Sequence, residues 1–150
     1  MIAEVSYMNY KLYDCTDKDA DYICDRLVEY NLEKVPLRQE IPFENLNKKL
    51  LDENGKIIAG IIARSYCWNV VYVDILWVDS GYRGQGLGSY LLDELENNAN
   101  NKGVTLIHLD TFDFQAKDFY IKRGYELFGV LEDCPKGHTR YYLKKSLDNS

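Results

Sequence analysis

The chain has 150 residues, 46% of them hydrophobic and 28% charged, with a formal net charge of −6. That size and balance fit one soluble globular domain spanning 1–150. The acid excess argues against nucleic acid as a partner, because a phosphate backbone calls for a basic face, and it suits a cationic acceptor such as an amine.

No run of about 18 apolar residues suggests a membrane span. Met1-Ile2-Ala3-Glu4 lacks the basic-then-apolar layout of a secretory leader. Cys15, Cys24, Cys67 and Cys134 are scattered, and His108 and His138 are the only histidines. A disulfide framework and a metal site are therefore not expected, and a reducing cytoplasm is.

Tyr7 to Tyr13 alternates and predicts an opening strand. Thr16-Asp17-Lys18-Asp19 offers helix N-caps, and Ala20, Ile23, Leu27 and Tyr30 recur at helical spacing, so a helix is expected to end near Asn31. Val35 to Pro42 holds two prolines and no period, which predicts a loop. Phe43, Leu46 and Leu50 fall on one side of a short expected helix. Asp52-Glu53-Asn54-Gly55 is a hairpin turn, followed by a strand over 56–64, a reversal at Cys67-Trp68-Asn69 and a strand over 70–78. A glycine-rich turn leads to a helix reaching about Asn100. A buried strand over 104–110 and a helix over 115–123 follow, the latter stopped by Gly124. Strands over 125–131 and 139–144 close the chain.

Arg83-Gly84-Gln85-Gly86-Leu87-Gly88 joins the 70–78 strand to a helix. Unpaired N–H groups at a helix N-terminus attract an anion, and glycines let a phosphate approach the backbone. A P-loop would need Lys-Ser or Lys-Thr after its last glycine, whereas Gly88 precedes Ser89-Tyr90. A dinucleotide fingerprint needs glycines at the first, third and sixth places, which no frame here supplies. The pattern met is Arg/Gln-x-x-Gly-x-Gly/Ala, by Arg83, Gly86 and Gly88. It resembles the pyrophosphate signature of the GNAT superfamily of acetyl-CoA-dependent N-acetyltransferases. A second stretch, Leu109 to Tyr125, is similar to the family's strand–turn–helix ending in Phe-Tyr-x-x-x-Gly-Phe/Tyr, with Phe119, Tyr120, Gly124 and Tyr125 in those places.

The resemblance covers nearly the whole chain. It implies a mixed α/β (α+β) fold with a central mixed, mostly antiparallel sheet flanked by about four helices. It implies acetyl-CoA as cosubstrate and a small-molecule amine or peptide as acceptor, without nucleic acid or membrane. Related folds often pair, so a homodimer is open. The turn Arg83, Gly84, Gln85, Gly86, Leu87, Gly88 and Ser89 would hold the pyrophosphate. Leu76, Trp77 and Val78 would pair with the pantetheine arm. Thr111, Gln115 (where relatives often carry asparagine) and Phe119 would flank it. Tyr120 takes the place of the tyrosine that protonates the departing thiolate. Strand alternation sets Tyr72, Asp74, Leu76 and Val78 on one face. A carboxylate in an apolar strand is costly unless paired or used, so Asp74 is the first candidate for general base, with Tyr72 in a water-relayed path. In some members a glutamate base stands at the place of Tyr72, and here the chain departs from the family. Arg38, Glu40 and Phe43 are candidates to flank the acceptor. Another acyl-CoA as donor, and a CoA-binding module without turnover, remain alternatives; an intact Tyr120 weighs against the module.

Overall fold

The computed structural model describes residues 6–7 and 9–148, and the chain divides after Pro36 into two compact units. The first unit holds a short antiparallel pair, β1 (Ser6–Tyr7) and β2 (Tyr10–Lys11), and a helix, α1 (Asp17–Lys34). The strand expected over 7–13 is thus broken into two short pieces. A capping box starts α1. Thr16 Oγ1 accepts from the Asp19 N–H at 3.2 Å, and the Asp19 carboxylate accepts from the Thr16 N–H at 2.9 Å. These bonds to the charged form hold the Asp19 carboxyl below its ordinary value. The helix passes the expected end at Asn31 and stops at Lys34.

The second unit is a seven-stranded sheet with two helices. Its strands are β3 (Phe43–Asn45), β4 (Lys48–Leu51), β5 (Ile57–Tyr66), β6 (Val70–Val78), β7 (Leu106–Phe112), β8 (Glu126–Glu132) and β9 (Thr139–Ser146). The spatial order is β3-β5-β6-β7-β9-β8, with β4 also on the edge of β5. Every pair is antiparallel except β6 with β7, which gives the mixed, mostly antiparallel sheet expected. The helix α2 (Leu87–Asn101) connects the two parallel strands, and α3 (Lys117–Lys122) follows β7.

The expected short helix over 43–50 does not form. The segment is instead two edge strands bent at Leu46–Asn47. Leu46 is buried and its N–H bonds Ala63 O at 2.9 Å, while the Asn47 side chain accepts from the Ala63 N–H at 2.9 Å. Pairing along β5 overrides the helical spacing of Phe43, Leu46 and Leu50, and the described residues hold three helices rather than about four. The 52–55 turn forms as expected, with Gly55 at φ +82° and Asp52 Oδ1 accepting from the N–H groups of Asn54 and Lys56.

The core lies between one sheet face and α2. Leu91, Leu92, Leu95 and Ala99 recur on one side of the helix and are buried against Ala59, Ile61, Val71, Ile107, Leu109 and Leu143. Among the described residues no helix is long and apolar enough to cross a membrane. Because α2 is held by this stripe, Leu92→Ala is expected to destabilise the fold by about 2–5 kcal/mol through lost burial and a residual cavity. Urea unfolding followed by circular dichroism measures this.

Candidate active site

Two parallel strands part company in the middle of the sheet. The β6–β7 ladder runs only from Val70↔Leu106 to Val73↔Leu109. On its other side β6 continues to pair with β5, but the register shifts: Ile62 faces Ile75 and Ala63 faces Val73, which leaves Asp74 as the extra residue of a β-bulge. A bulge bends its strand and increases the local twist. Past it, residues 74–78 have no strand partner on the side toward β7. Unpaired backbone donors and acceptors along such an edge are a template for an extended ligand. The gap is a cleft of about 540 Å³ running from Asp74, Leu76, Trp77 and Val78 on one wall to Asp110, Thr111, Phe114, Gln115 and Tyr120 on the other.

One end of this cleft is the glycine turn. Gly84 and Gly86 both have φ +78°, the left-handed region that excludes most side chains. Gly86 is also the N-cap of α2, and no side chain caps the helix. The first-turn N–H groups of Leu87, Gly88 and Ser89 are therefore free to meet an anion with the helix dipole behind them. Gly88 lines the cleft, and a Cβ there would touch Phe119 and Val78 at 3.8 Å, ordinary contact. Alanine fits at this place but a larger side chain would fill the cleft. Arg83 folds back, its Nε donating to Val78 O at 3.3 Å.

Thr111 and Gln115 are largely occupied with each other. The Thr111 hydroxyl donates to Gln115 Oε1 at 3.2 Å and accepts from the Ala116 N–H at 3.3 Å, while Gln115 Oε1 also accepts from the Phe112 N–H at 2.8 Å. This knot turns the chain from β7 into α3 and leaves the Gln115 Nε2 as the remaining donor of that side chain. Tyr120 lies on α3, is 6% exposed, and packs edge-to-face on Phe119 and Tyr125 at centroid distances of 5.2 and 5.6 Å. A charged clamp pins the end of α3. Arg123 pairs with Asp93 and Glu96 of α2, and Lys145 of β9 reaches Glu96 at 2.7 Å and Arg123 O at 2.9 Å. The Tyr120 hydroxyl makes no hydrogen bond with another described residue. Burial, with a smaller contribution from the Asp110 charge, pushes its pKa up to about 12.

Tyr72 lies just before the bulge and Asp74 at it. Val71 and Val73 pack into the core before it, and Leu76 and Val78 pack on the core after it, so the alternation expected over Tyr72, Asp74, Leu76 and Val78 is interrupted. Tyr72 lies on the opposite face from Leu76 and Val78 and does not line the cleft. Its hydroxyl donates to Asp110 Oδ2 at 2.8 Å, and its ring lies 5.2 Å from His108 and 5.2 Å from the Arg64 guanidinium. Burial, then the bond to Asp110, pushes the Tyr72 pKa up to about 12. Asp74 lines the cleft but is exposed on the bulge. The cost of burying a carboxylate falls instead on Asp110, whose side chain is 14% exposed and which is paired with Arg140 at 2.9 Å to Nε and 2.5 Å to Nη2.

The structure therefore brings Asp74, Leu76, Trp77, Val78, Arg83, Gly88, Thr111, Gln115, Phe119 and Tyr120 to one cleft. Gly84, Gln85, Gly86, Leu87 and Ser89 form the turn beside it. Asp110 and Phe114, which are not among the residues expected from sequence, also line it. Asp110 closes the strand expected over 104–110 as its one carboxylate, beside Leu106, Ile107 and Leu109, and this marks it; nothing in the sequence singles out Phe114. Arg38 and Glu40 do not line the cleft: the Arg38 N–H bonds Cys67 O at 2.8 Å, which ties their loop to the other end of β6. A second hollow of about 430 Å³, walled mainly by Ile57, Ile62, Ile75 and Trp77, carries no titratable group besides Lys48 and Lys49.

Residues 49–127 match the model of the acetyltransferase (GNAT) domain. The blasticidin-S acetyltransferase of Streptomyces morookaense is 36% identical over 117 residues, 77% of this chain and 85% of that protein. The crystal structure of an acetyltransferase from Bacillus cereus has a TM-score of 0.82 and 38% identity, covering 91% of this chain and 96% of its own. An acetyltransferase of Bacillus anthracis solved in complex with acetyl coenzyme A has a TM-score of 0.60 at 23% identity, covering 69% of this chain and 63% of its own, and shares the fold.

The two raised phenols give a direct check. Tyr72 and Tyr120 are expected to keep their protons at about pH 10.5, where an unperturbed phenol is mostly ionised. In Asp110→Asn both should ionise at lower pH, because the removed negative charge had favoured their neutral forms. Carbon NMR of labelled tyrosine rings reads this; an unchanged Tyr72 resonance in the variant would refute the assigned cause.

Proposed function

Because the chain belongs to the GNAT acetyltransferase family, we propose that it moves an acetyl group from acetyl-CoA to a primary amine by direct attack on the thioester. The observation that carries this reading is the single cleft that joins an uncapped helix N-terminus, an unpaired strand edge and a buried phenol with a free hydroxyl. Those are the parts an acyl-CoA needs: donors for a diphosphate, a backbone edge for the pantetheine amides, and a proton for the sulfur.

In this reading the N–H groups of Leu87, Gly88 and Ser89, with the Gln85 and Gly86 backbone, take the diphosphate. Leu76, Trp77 and Val78 pair with the pantetheine arm as an added strand, and a backbone N–H of that edge polarises the carbonyl. The Gln115 amide and the Phe119 ring bound the arm on the other side. The amine nitrogen forms a bond to the carbonyl carbon and the C–S bond breaks. The electron pair of that bond goes to sulfur, which takes the Tyr120 proton. The phenolate regains a proton from solvent. The proton shed by the amine passes through water to Asp74, which is exposed at the bulge where the strands part.

The test mixes the protein with acetyl-CoA and a panel of amines, with a thiol reagent reading free CoA and mass spectrometry reading the product. Blasticidin S heads the panel, since a relative 36% identical carries that name; spermidine and an alanyl peptide follow, and other acyl-CoA donors form a second arm. CoA release matched by N-acetylated product is expected. Measurable acetyl-CoA binding without release from any amine would overturn transfer. Tyr120→Phe is expected to lower kcat by roughly 10²- to 10⁴-fold while the acetyl-CoA Kd changes little. Since its pKa is raised to about 12, no loss of rate from its ionisation is expected below about pH 11. Gly88→Leu should weaken acetyl-CoA binding with the fold retained, whereas Gly88→Ala should bind as the wild type does.

A further inference from the structure

Of the two carboxylates lining the cleft, Asp110 is the one the chain holds still. It is the first residue of β7 beyond the last pair with β6, at the vertex where the strands separate. Its side chain is 14% exposed. The Arg140 fork directs two N–H groups at Oδ1, and the Tyr72 hydroxyl directs one O–H at Oδ2. A carboxylate offers about four lone-pair directions, two on each oxygen. Oδ1 is therefore filled, and Oδ2 keeps one direction open. Tyr72 cannot occupy it, having spent its only proton on the first. Asp110 and Tyr120, the phenol proposed to serve the sulfur, both line this cleft.

We infer that Asp110 is the acceptor-side residue of the transfer, accepting an N–H of the incoming primary amine on the open direction of Oδ2 and turning the nitrogen lone pair toward the thioester carbonyl. Arg140 and Tyr72 are its positioning residues: two bonds to one oxygen and one to the other stop the carboxylate from rotating with its guest. An anion so placed favours an amine over a hydroxyl or a thiol, because the amine alone approaches as a cation and still has N–H groups to give after deprotonation. The inference rests on the amine-transfer reading above and adds to it the residue that selects the nucleophile. Asp74 keeps the separate task of taking through water the amine's protons, the one lost before attack and the one shed after it, and releasing them to solvent.

The test uses whichever of blasticidin S, spermidine and the alanyl peptide the wild type acetylates fastest. In Asp110→Asn the KM for that amine should rise about ten- to hundredfold, the loss of one charge-assisted hydrogen bond. The acetyl-CoA Kd, read by calorimetry without amine, should stay near the wild-type value. Tyr72→Phe and Arg140→Lys keep the carboxylate but loosen it, so each should raise the amine KM by a smaller factor; these two variants also serve if Asp110→Asn does not fold. An unchanged amine KM in all folded variants would overturn the inference. So would an amine KM and an acetyl-CoA Kd that weaken together with the melting temperature, the mark of a merely structural pin. Failure of the wild type to acetylate any amine would instead strike the transfer reading itself, and this inference with it.

Discussion

One inserted residue organises this molecule. Asp74 has no partner opposite it on β5, and the bend it introduces ends the only parallel ladder in the sheet after Val73↔Leu109. A continuous β6–β7 ladder would satisfy its own backbone groups and leave nothing to bind with. The split does the reverse: it keeps a row of donors and acceptors open over residues 74–78 and is deep enough for helix residues, Gly88 of α2 and Phe119 and Tyr120 of α3, to form its floor.

The remaining structure holds the two banks of that split apart. On one bank β5 pairs with β6 from Ala59↔Val78 to Tyr66↔Val70 on both sides of the bulge, and the turn at Gly84 and Gly86 delivers α2 with its first N–H groups uncapped. On the other bank β9 pairs with every residue of β7 from Leu106 to Phe112. Glu96, Arg123 and Lys145 then lock α2, α3 and β9 together. The stripe Leu91, Leu92, Leu95 and Ala99 joins the banks from beneath. Polar groups follow a division of labour. Thr111 and Gln115 use their oxygens on each other and on the turn, while the Tyr120 hydroxyl and the α2 N-terminus are left without protein partners among the described residues.

The bulge also exchanges the faces of β6. Tyr72 belongs to the face that carries His108, Asp110 and Arg140, whereas Leu76 and Val78 belong to the core face. Tyr72 is therefore set on the other side of the sheet from Leu76 and Val78, and the carboxylate its hydroxyl meets comes from β7, 38 positions along the chain.

Local chemistry was legible in the sequence wherever it depends on neighbours in the chain. The Asp52–Gly55 turn, the helix start at Thr16 to Asp19, the bounds of the 70–78 strand, the glycine turn and the Phe119-Tyr120 pair are all written in short segments, because φ, capping and periodicity are set within a few residues. The two signatures together carried the family and with it most of the cleft. What depends on pairing across the sheet was not legible. The 43–50 segment has helical spacing and becomes two edge strands because Ala63 offers it partners. The bulge at Asp74 arises from the register between β5 and β6, which no single strand encodes. Asp110 acquires its weight only when folding brings Tyr72 and Arg140 to its two oxygens. Backbone preferences act along the chain, whereas register and the pairing of buried charges act between segments, and the tertiary structure alone decides the second kind.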